Sequence, residues 1–280
     1  MSLKIGIIGL PNVGKSTLFN AIMGKQAALT APYPFATIEP NVGVVDVPDE
    51  RLTKLHQSLV KNPRSGVTPE TPIVYSSIQF VDIAGLVKGA AEGNGLGNKF
   101  LNHIRDVDLI LHVLRDFEAG DVPRHQDSVN PTHDAEIVEM ELGLKDLEVK
   151  EKAEKSKSPT AYSLLLDKPV IYAVNVGEDR LAETINKGLA LPGQGQALSD
   201  KTVLFFSAKI EEEIAQLPKN EQKEFMKVYG METSGLDRII TECFHRLGLI
   251  SFLTAGKIEV KAWPIKKGST APPSSRHNSF

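Results

Sequence analysis

Apolar residues in this chain fall into two patterns. Five short runs, at residues 5–8, 78–81, 109–114, 170–174 and 203–206, are rich in Ile, Val and Leu and lack polar alternation. Such runs predict strands covered on both faces, as in a parallel sheet. Stretches of helical period lie between them, the first over residues 15–23. Strand and helix in alternation predict an α/β fold with a doubly wound, mostly parallel sheet. Ligands of such sheets settle beyond the carboxyl ends of the strands.

Other segments break this rhythm. Residues 133–157 are highly charged, with Ile137, Met140, Leu144 and Leu147 three and four apart. That spacing predicts an amphipathic helix, either packed on the core or forming the stub of a protruding helical arm. Gly143 weakens it. Two more helices are expected over residues 211–229 and 236–247. Residues 255–265 read as a strand, since Ile258, Val260 and Ala262 alternate with Lys257, Glu259 and Lys261. A Gly-, Ser- and Pro-rich tail follows it. One strand and a tail cannot bury a core, so this end reads as the opening of a domain.

Composition narrows the classes. Hydrophobic residues make up 41% and charged residues 24%, with a net charge of −3. That balance excludes a protein that binds nucleic acid through overall charge, and no direct DNA binding is expected. The single cysteine, Cys243, rules out an internal disulfide and sits in a helical pattern where a core thiol is expected. No apolar run reaches the roughly 18 residues of a membrane helix, and the first apolar run leads straight into a Gly-rich loop. A soluble, cytoplasmic protein without a membrane partner is the expectation.

The chemistry begins with Gly9-Leu10-Pro11-Asn12-Val13-Gly14-Lys15-Ser16-Thr17, a complete G-x-x-x-x-G-K-S sequence between a strand and a helix. Gly9 and Gly14 allow backbone shapes that a Cβ would block. The N–H groups from Val13 to Thr17 can converge on a phosphate at the helix N-terminus. Lys15 neutralises the β- and γ-phosphates, and the Ser16 hydroxyl suits a Mg²⁺ shell. Asp82, which closes a strand three residues before Gly85, can hold a Mg²⁺-bound water. Thr37, in Pro34-Phe35-Ala36-Thr37-Ile38-Glu39-Pro40, is the natural second hydroxyl ligand, and the Gly85 N–H can meet the γ-phosphate. Five glycines between Gly85 and Gly97 predict a segment that orders on the γ-phosphate and relaxes on hydrolysis. After Gly85 stands Leu86, where Ras-like enzymes place a water-orienting glutamine, so another group must serve.

Val174-Asn175-Val176-Gly177-Glu178 stands where a guanine reader carries N-K-x-D. Glu178 has one methylene too many for the bidentate bond that the aspartate makes with guanine. The Val176 peptide N–H can serve adenine N1, and the Asn175 amide the N7 and 6-amino edge. Ser207-Ala208-Lys209 is the expected loop behind the base. ATP is therefore the expected substrate, with GTP weaker.

Together with Leu86-Val87-Lys88-Gly89-Ala90, Gly95-Leu96-Gly97-Asn98 and Thr254-Ala255-Gly256 before Ala262-Trp263, these motifs resemble the YchF subfamily of Obg-related P-loop NTPases. The resemblance runs from residue 3 to about 272. It implies a nucleotide-binding core at residues 1–133 and 166–256, a coiled-coil insertion at 134–165 and a C-terminal TGS segment at 257–280. It also implies ATP binding at least as good as GTP binding, and association with ribosomes. Two departures stand out: the insertion is shorter than the family's, and the TGS pattern stops after one strand. Both are the parts expected to face RNA, which puts ribosome binding in question while leaving nucleotide binding. The family's catalytic histidine lies before a Val-Asn-Pro; here His125 precedes Val129-Asn130-Pro131 with the spacing off by one. Its imidazole could orient the water that Leu86 cannot. Asn12 matches an asparagine that accompanies K⁺ binding in related NTPases. His103 and His112 read as packing residues. Three readings stand at this point: a slow Mg²⁺-dependent ATPase switch, a nucleotide-gated binding module with negligible hydrolysis, and a guanine-selective GTPase.

Overall fold

The computed structural model describes residues 3–29, 42–83, 103–118, 130–156, 164–187 and 201–270. Its main sheet joins β1 (Lys4–Ile8), β2 (Val42–Asp46), β4 (Ser77–Asp82), β5 (Leu109–Asp116), β6 (Val170–Val176) and β7 (Val203–Phe206) in the order β2-β4-β1-β5-β6-β7. Every pairing is parallel except β2 with β4. The five predicted strands are the parallel ones. All eight residues of β5 are buried, which is why its sequence shows no alternation. The chain builds outward from β1 in both directions, so the order reverses at the strand that carries the Gly-rich loop.

Seven helices are described: α1 (Lys15–Leu29), α2 (Glu50–Val60), α3 (Pro131–Ser156), α4 (Glu178–Lys187), α5 (Ala208–Gln216), α6 (Lys219–Val228) and α7 (Gly235–Arg246). The single helix predicted over 211–229 is two, because Leu217 and Pro218 are extended between α5 and α6. A proline lacks the N–H that would continue the helix and pushes the residue before it out of helical geometry. Ser234 caps α7 by accepting the Asp237 N–H at 3.1 Å. Cys243 is fully buried within α7, and burial pushes its thiol pKa up, so it behaves as a core group.

The strand predicted over 255–265 is also corrected. It is a hairpin, β8 (Leu249–Ala255) and β9 (Val260–Lys266), with residues 256–259 as the turn. Nor is β9 alone: it lies between β8 and β3 (Ile73–Val74) in a three-stranded sheet. Val260 and Ala262 pack with Leu52 of α2 and Val67 in a small core of their own.

The amphipathic helix is present as α3, but the stripe read from the sequence is not its core face. Of the predicted stripe only Ile137 packs against the core, partly buried; Met140, Leu144 and Leu147 are exposed, while Ala135, Val138 and Leu142 are buried. The helix carries apolar residues on two sides, and the sequence pattern caught the outer one. Asp146 fixes the return of the chain by accepting the Leu165 and Leu166 N–H groups at 2.9 and 3.0 Å.

His103 has helical backbone and is exposed, so it is no packing residue. His112 is one, buried in β5. Burial in the core holds its imidazole down at about 3, against about 6.5 in an unfolded chain. At pH 7 both states are neutral and the group contributes nothing. As the pH falls below about 6.5, only the unfolded chain takes the proton, and folding weakens by about 1.4 kcal/mol per pH unit until the folded group titrates. Urea melts at pH 7 and 5.5 are expected to show this loss, and His112→Phe to remove its share. Equal pH slopes in the two proteins would refute the assignment.

Candidate functional site

The Gly-rich loop leaves the end of β1 and turns into α1 through three residues of positive φ: Gly9 at 149°, Asn12 at 62° and Gly14 at 98°. Asparagine is one of the few residues with a Cβ that visits this region readily. A Cβ on Gly9 would come within 2.4 Å of the Val113 carbonyl oxygen, and one on Gly14 within 2.4 Å of Asn175 Nδ2. Both glycines are thus required by backbone conformation and by space. The first intrahelical bond runs from Leu18 N–H to Gly14 O at 2.9 Å. The N–H groups of Lys15, Ser16 and Thr17 are left at the open helix end, the arrangement that attracts an anion.

Lys15 is almost wholly buried, and its ammonium donates to the Leu10 carbonyl at 2.7 Å. Burial lowers its pKa, and the charge of nearby Asp82 opposes that shift. Asp82 closes β4 beside Ile7 of β1 and accepts the Ser16 hydroxyl at 3.3 Å. A hydroxyl and a carboxylate are hard oxygen donors of the kind Mg²⁺ takes, and a Mg²⁺ site with several waters needs few protein ligands. Among the described residues no group of three His, Cys, Asp or Glu side chains is placed to hold a metal ion.

Asn175, near the end of β6, reaches across to both neighbouring loops. Its Nδ2 donates to the Val13 carbonyl at 3.1 Å, and its Oδ1 accepts the Ala208 N–H at 2.9 Å. The predicted base-reading amide is therefore first a clasp, with one N–H and one lone pair left to offer a ligand. Val176 points the opposite way and packs in the core with Leu114, Val174 and Ile210, so only its backbone faces the site. Glu178 opens α4, where its carboxylate meets Lys209 Nζ at 2.9 Å and the Tyr229 hydroxyl at 2.9 Å. Hydrogen bonds from Lys209 and Tyr229 hold its carboxyl below the usual range.

Asn12, Gly14, Lys15, Ser16, Thr17, Asn175, Val176, Glu178, Ser207 and Ala208 line one cleft of about 590 Å³ at the carboxyl edge of the sheet. Val13 lies beneath it, with its side chain in the core. Thr37, Gly85, Leu86 and His125 lie outside the described residues. The cleft also takes in Phe117 and Glu118, which the sequence reading missed. Arg115 orients Phe117: its guanidinium lies 4.6 Å from the ring centroid and its Nε donates to the Phe117 carbonyl at 3.1 Å. The available signal was positional, since Phe117 directly follows β5 at the ligand-binding edge. Behind it the carboxylate of Asp116, whose pKa burial raises and Arg180 pulls back, pairs with Arg180 at 2.8 Å.

A Gly-rich loop between strand and helix, a buried lysine at its tip and a hydroxyl–carboxylate pair beside it, at the reversal point of a mostly parallel sheet, define a P-loop nucleoside triphosphatase. The family model described as 50S ribosome-binding GTPase matches residues 4–168. Over 97% of its length the chain is 40% identical to the ribosome-binding ATPase YchF of Bacillus subtilis, covering 83% of that protein. It is 38% identical to the protein of the same name from Escherichia coli O157:H7, again over 97% of this chain and 83% of that one. The solved structure of the Schizosaccharomyces pombe YchF GTPase matches with a TM-score of 0.74 and 32% identity, over 98% of this chain and 83% of that one. The chain belongs to the YchF family. Among the described residues no helix is long and apolar enough to cross a membrane.

Proposed function

We propose that this protein is a slow, Mg²⁺-dependent ATPase that prefers ATP to GTP and works as a nucleotide switch in contact with the ribosome. The observation that carries the base preference is the state of Glu178. Both its oxygens are already engaged, by Lys209 and Tyr229, so the carboxylate is turned to α5 and α6 and not to a purine edge. A guanine reader needs those oxygens for the N1–H and the exocyclic amine. The Val176 N–H and the remaining capacity of Asn175 suit adenine, and the Phe117 ring offers a face for either purine.

In this reading the ammonium of Lys15 exchanges the Leu10 carbonyl for the β- and γ-phosphate oxygens. The open N–H groups of α1 take the remaining phosphate charge. Ser16 and Asp82, together with Thr37, would hold the Mg²⁺, which neutralises charge on the phosphates. Gly85 senses the γ-phosphate, and His125 orients the attacking water in place of the missing glutamine. The ribosome enters through the relatives, whose names describe them as ribosome-binding; the same membership supports a cytoplasmic location.

Parallel titrations with fluorescent ATP and GTP analogues are expected to show ATP binding at least tenfold tighter. Glu178→Asp frees the carboxylate from its two partners and is expected to narrow that gap. A lysine at Val176 is a poorer test, because it would bury a charge in the core. Equal affinities, or tighter GTP binding by the parent, would overturn the preference.

A further inference from the structure

A second cavity, of about 600 Å³, lies where α3 covers the sheet. It shares no residue with the nucleotide cleft. Val138 and Leu142 of α3, Ile110 and Val170 of the strands and Leu165 give it apolar walls. Among them sits a group of polar side chains that the nucleotide reaction does not use. The Tyr172 hydroxyl donates to Glu139, and Lys201 reaches both, with its Nζ 3.1 Å from the hydroxyl. Burial raises the Glu139 carboxyl, but the bonds from Lys201 and Tyr172 outweigh it, so Glu139 is ionised and matched to Lys201. The His112 ring lies 5.5 Å from that of Tyr172. His112 is 2% exposed, lines this cavity, and its Nε2 is buried without a hydrogen-bond partner among the described residues.

We propose that this cavity binds a small amphiphilic anion, with an apolar ring-sized body between α3 and the sheet, one acidic group, and one polar atom that pairs with His112 Nε2. Three observations support the class. The volume falls in the range of small-molecule pockets, and apolar walls with a few convergent polar groups are their usual make-up. An orphaned buried ring nitrogen is rare in native interiors and is relieved by a ligand atom. Among the described lining residues Lys201 is matched to Glu139 and Lys168 is turned to the Arg105 and Val107 carbonyls, which leaves Arg246 as the cation that can meet an acidic group of the ligand. The neutral state of His112 suits a hydrogen bond there and leaves the charge to be met by the basic lining.

The probe is 8-anilinonaphthalene-1-sulfonate, an aromatic body with one sulfonate, titrated into the full chain with the nucleotide cleft saturated by Mg·ATP. One saturable site is expected by calorimetry, with the ¹⁵N resonance of His112 Nε2 moving as it fills. Arg246→Glu, an exposed change at the last residue of α7, is expected to weaken binding tenfold or more. The exposed apolar side of α3 could hold the dye instead, so Met140→Gln, Leu144→Gln and Leu147→Gln are combined in a control expected to leave the titration unchanged. The proposal fails if binding is not saturable, if ATP displaces the dye, if the triple change abolishes binding, or if the His112 resonance stays still. Binding indifferent to Arg246→Glu would overturn the anionic character of the ligand.

Discussion

Replacing Lys15 by alanine is expected to weaken Mg·ATP binding about a hundredfold or more while leaving the fold intact. The ammonium is nearly buried and, among the described residues, held by one carbonyl, that of Leu10. It is thus poised to trade one neutral acceptor for two charged ones. Hydrogen bonds to charged groups contribute roughly 1.5–3 kcal/mol each, and about 1.4 kcal/mol is a tenfold change in affinity. Alanine removes the cation and leaves the Leu10 carbonyl to find water at the mouth of the cleft. Titration of both proteins with a fluorescent ATP analogue reads the difference. An unchanged Kd would remove the Gly-rich loop from any account of what this protein binds.

Asn175→Ala is expected to cost both stability and affinity, which sets it apart from Lys15→Ala. The amide satisfies the Val13 carbonyl and the Ala208 N–H, and both bonds are buried. Each orphaned buried group costs roughly 1–3 kcal/mol. A total of about 3 kcal/mol would lower the Tm by roughly 6–12 °C at the scale of a domain this size. In the proposed mode of binding the two loops meet opposite ends of the nucleotide, so their separation is expected to lower ATP affinity as well. Thermal melts and the same titration test the point together. A variant that melts and binds like its parent would show that the loops hold their places without the clasp.

The parts of this molecule legible in its sequence are those whose cause is local. Strands β1, β5 and β6 announce themselves because a strand covered on both faces must be apolar throughout, while β4 and β7 are marked by shorter apolar runs on partly covered strands. The Gly-rich loop is legible because positive φ and close backbone approach leave little choice of residue. Antiparallel β2 sits at the sheet edge with a mixed burial pattern and a glycine at its second position, so no continuous run marks it. On α3 two apolar stripes compete, and only contact with β5 and Leu165 selects the inner one. The site divides in the same way. The residues expected to meet phosphate follow one another in the chain. The role of Asn175 depends on backbone groups 162 and 33 residues away, and the locking of Glu178 on Lys209 and Tyr229, 31 and 51 residues on. Spacing within a motif carries no information about those partners.

The placement of β9 has a consequence during synthesis. Ile73 pairs with Val260, so the part of the cover over Leu52 of α2 that Val260 and Ala262 supply arrives only after roughly 190 further residues have been made. At about 5–20 residues per second, translation leaves that cover incomplete for on the order of ten to forty seconds. The early part of each nascent chain therefore keeps an incompletely covered apolar surface long after the first strands of the main sheet have emerged.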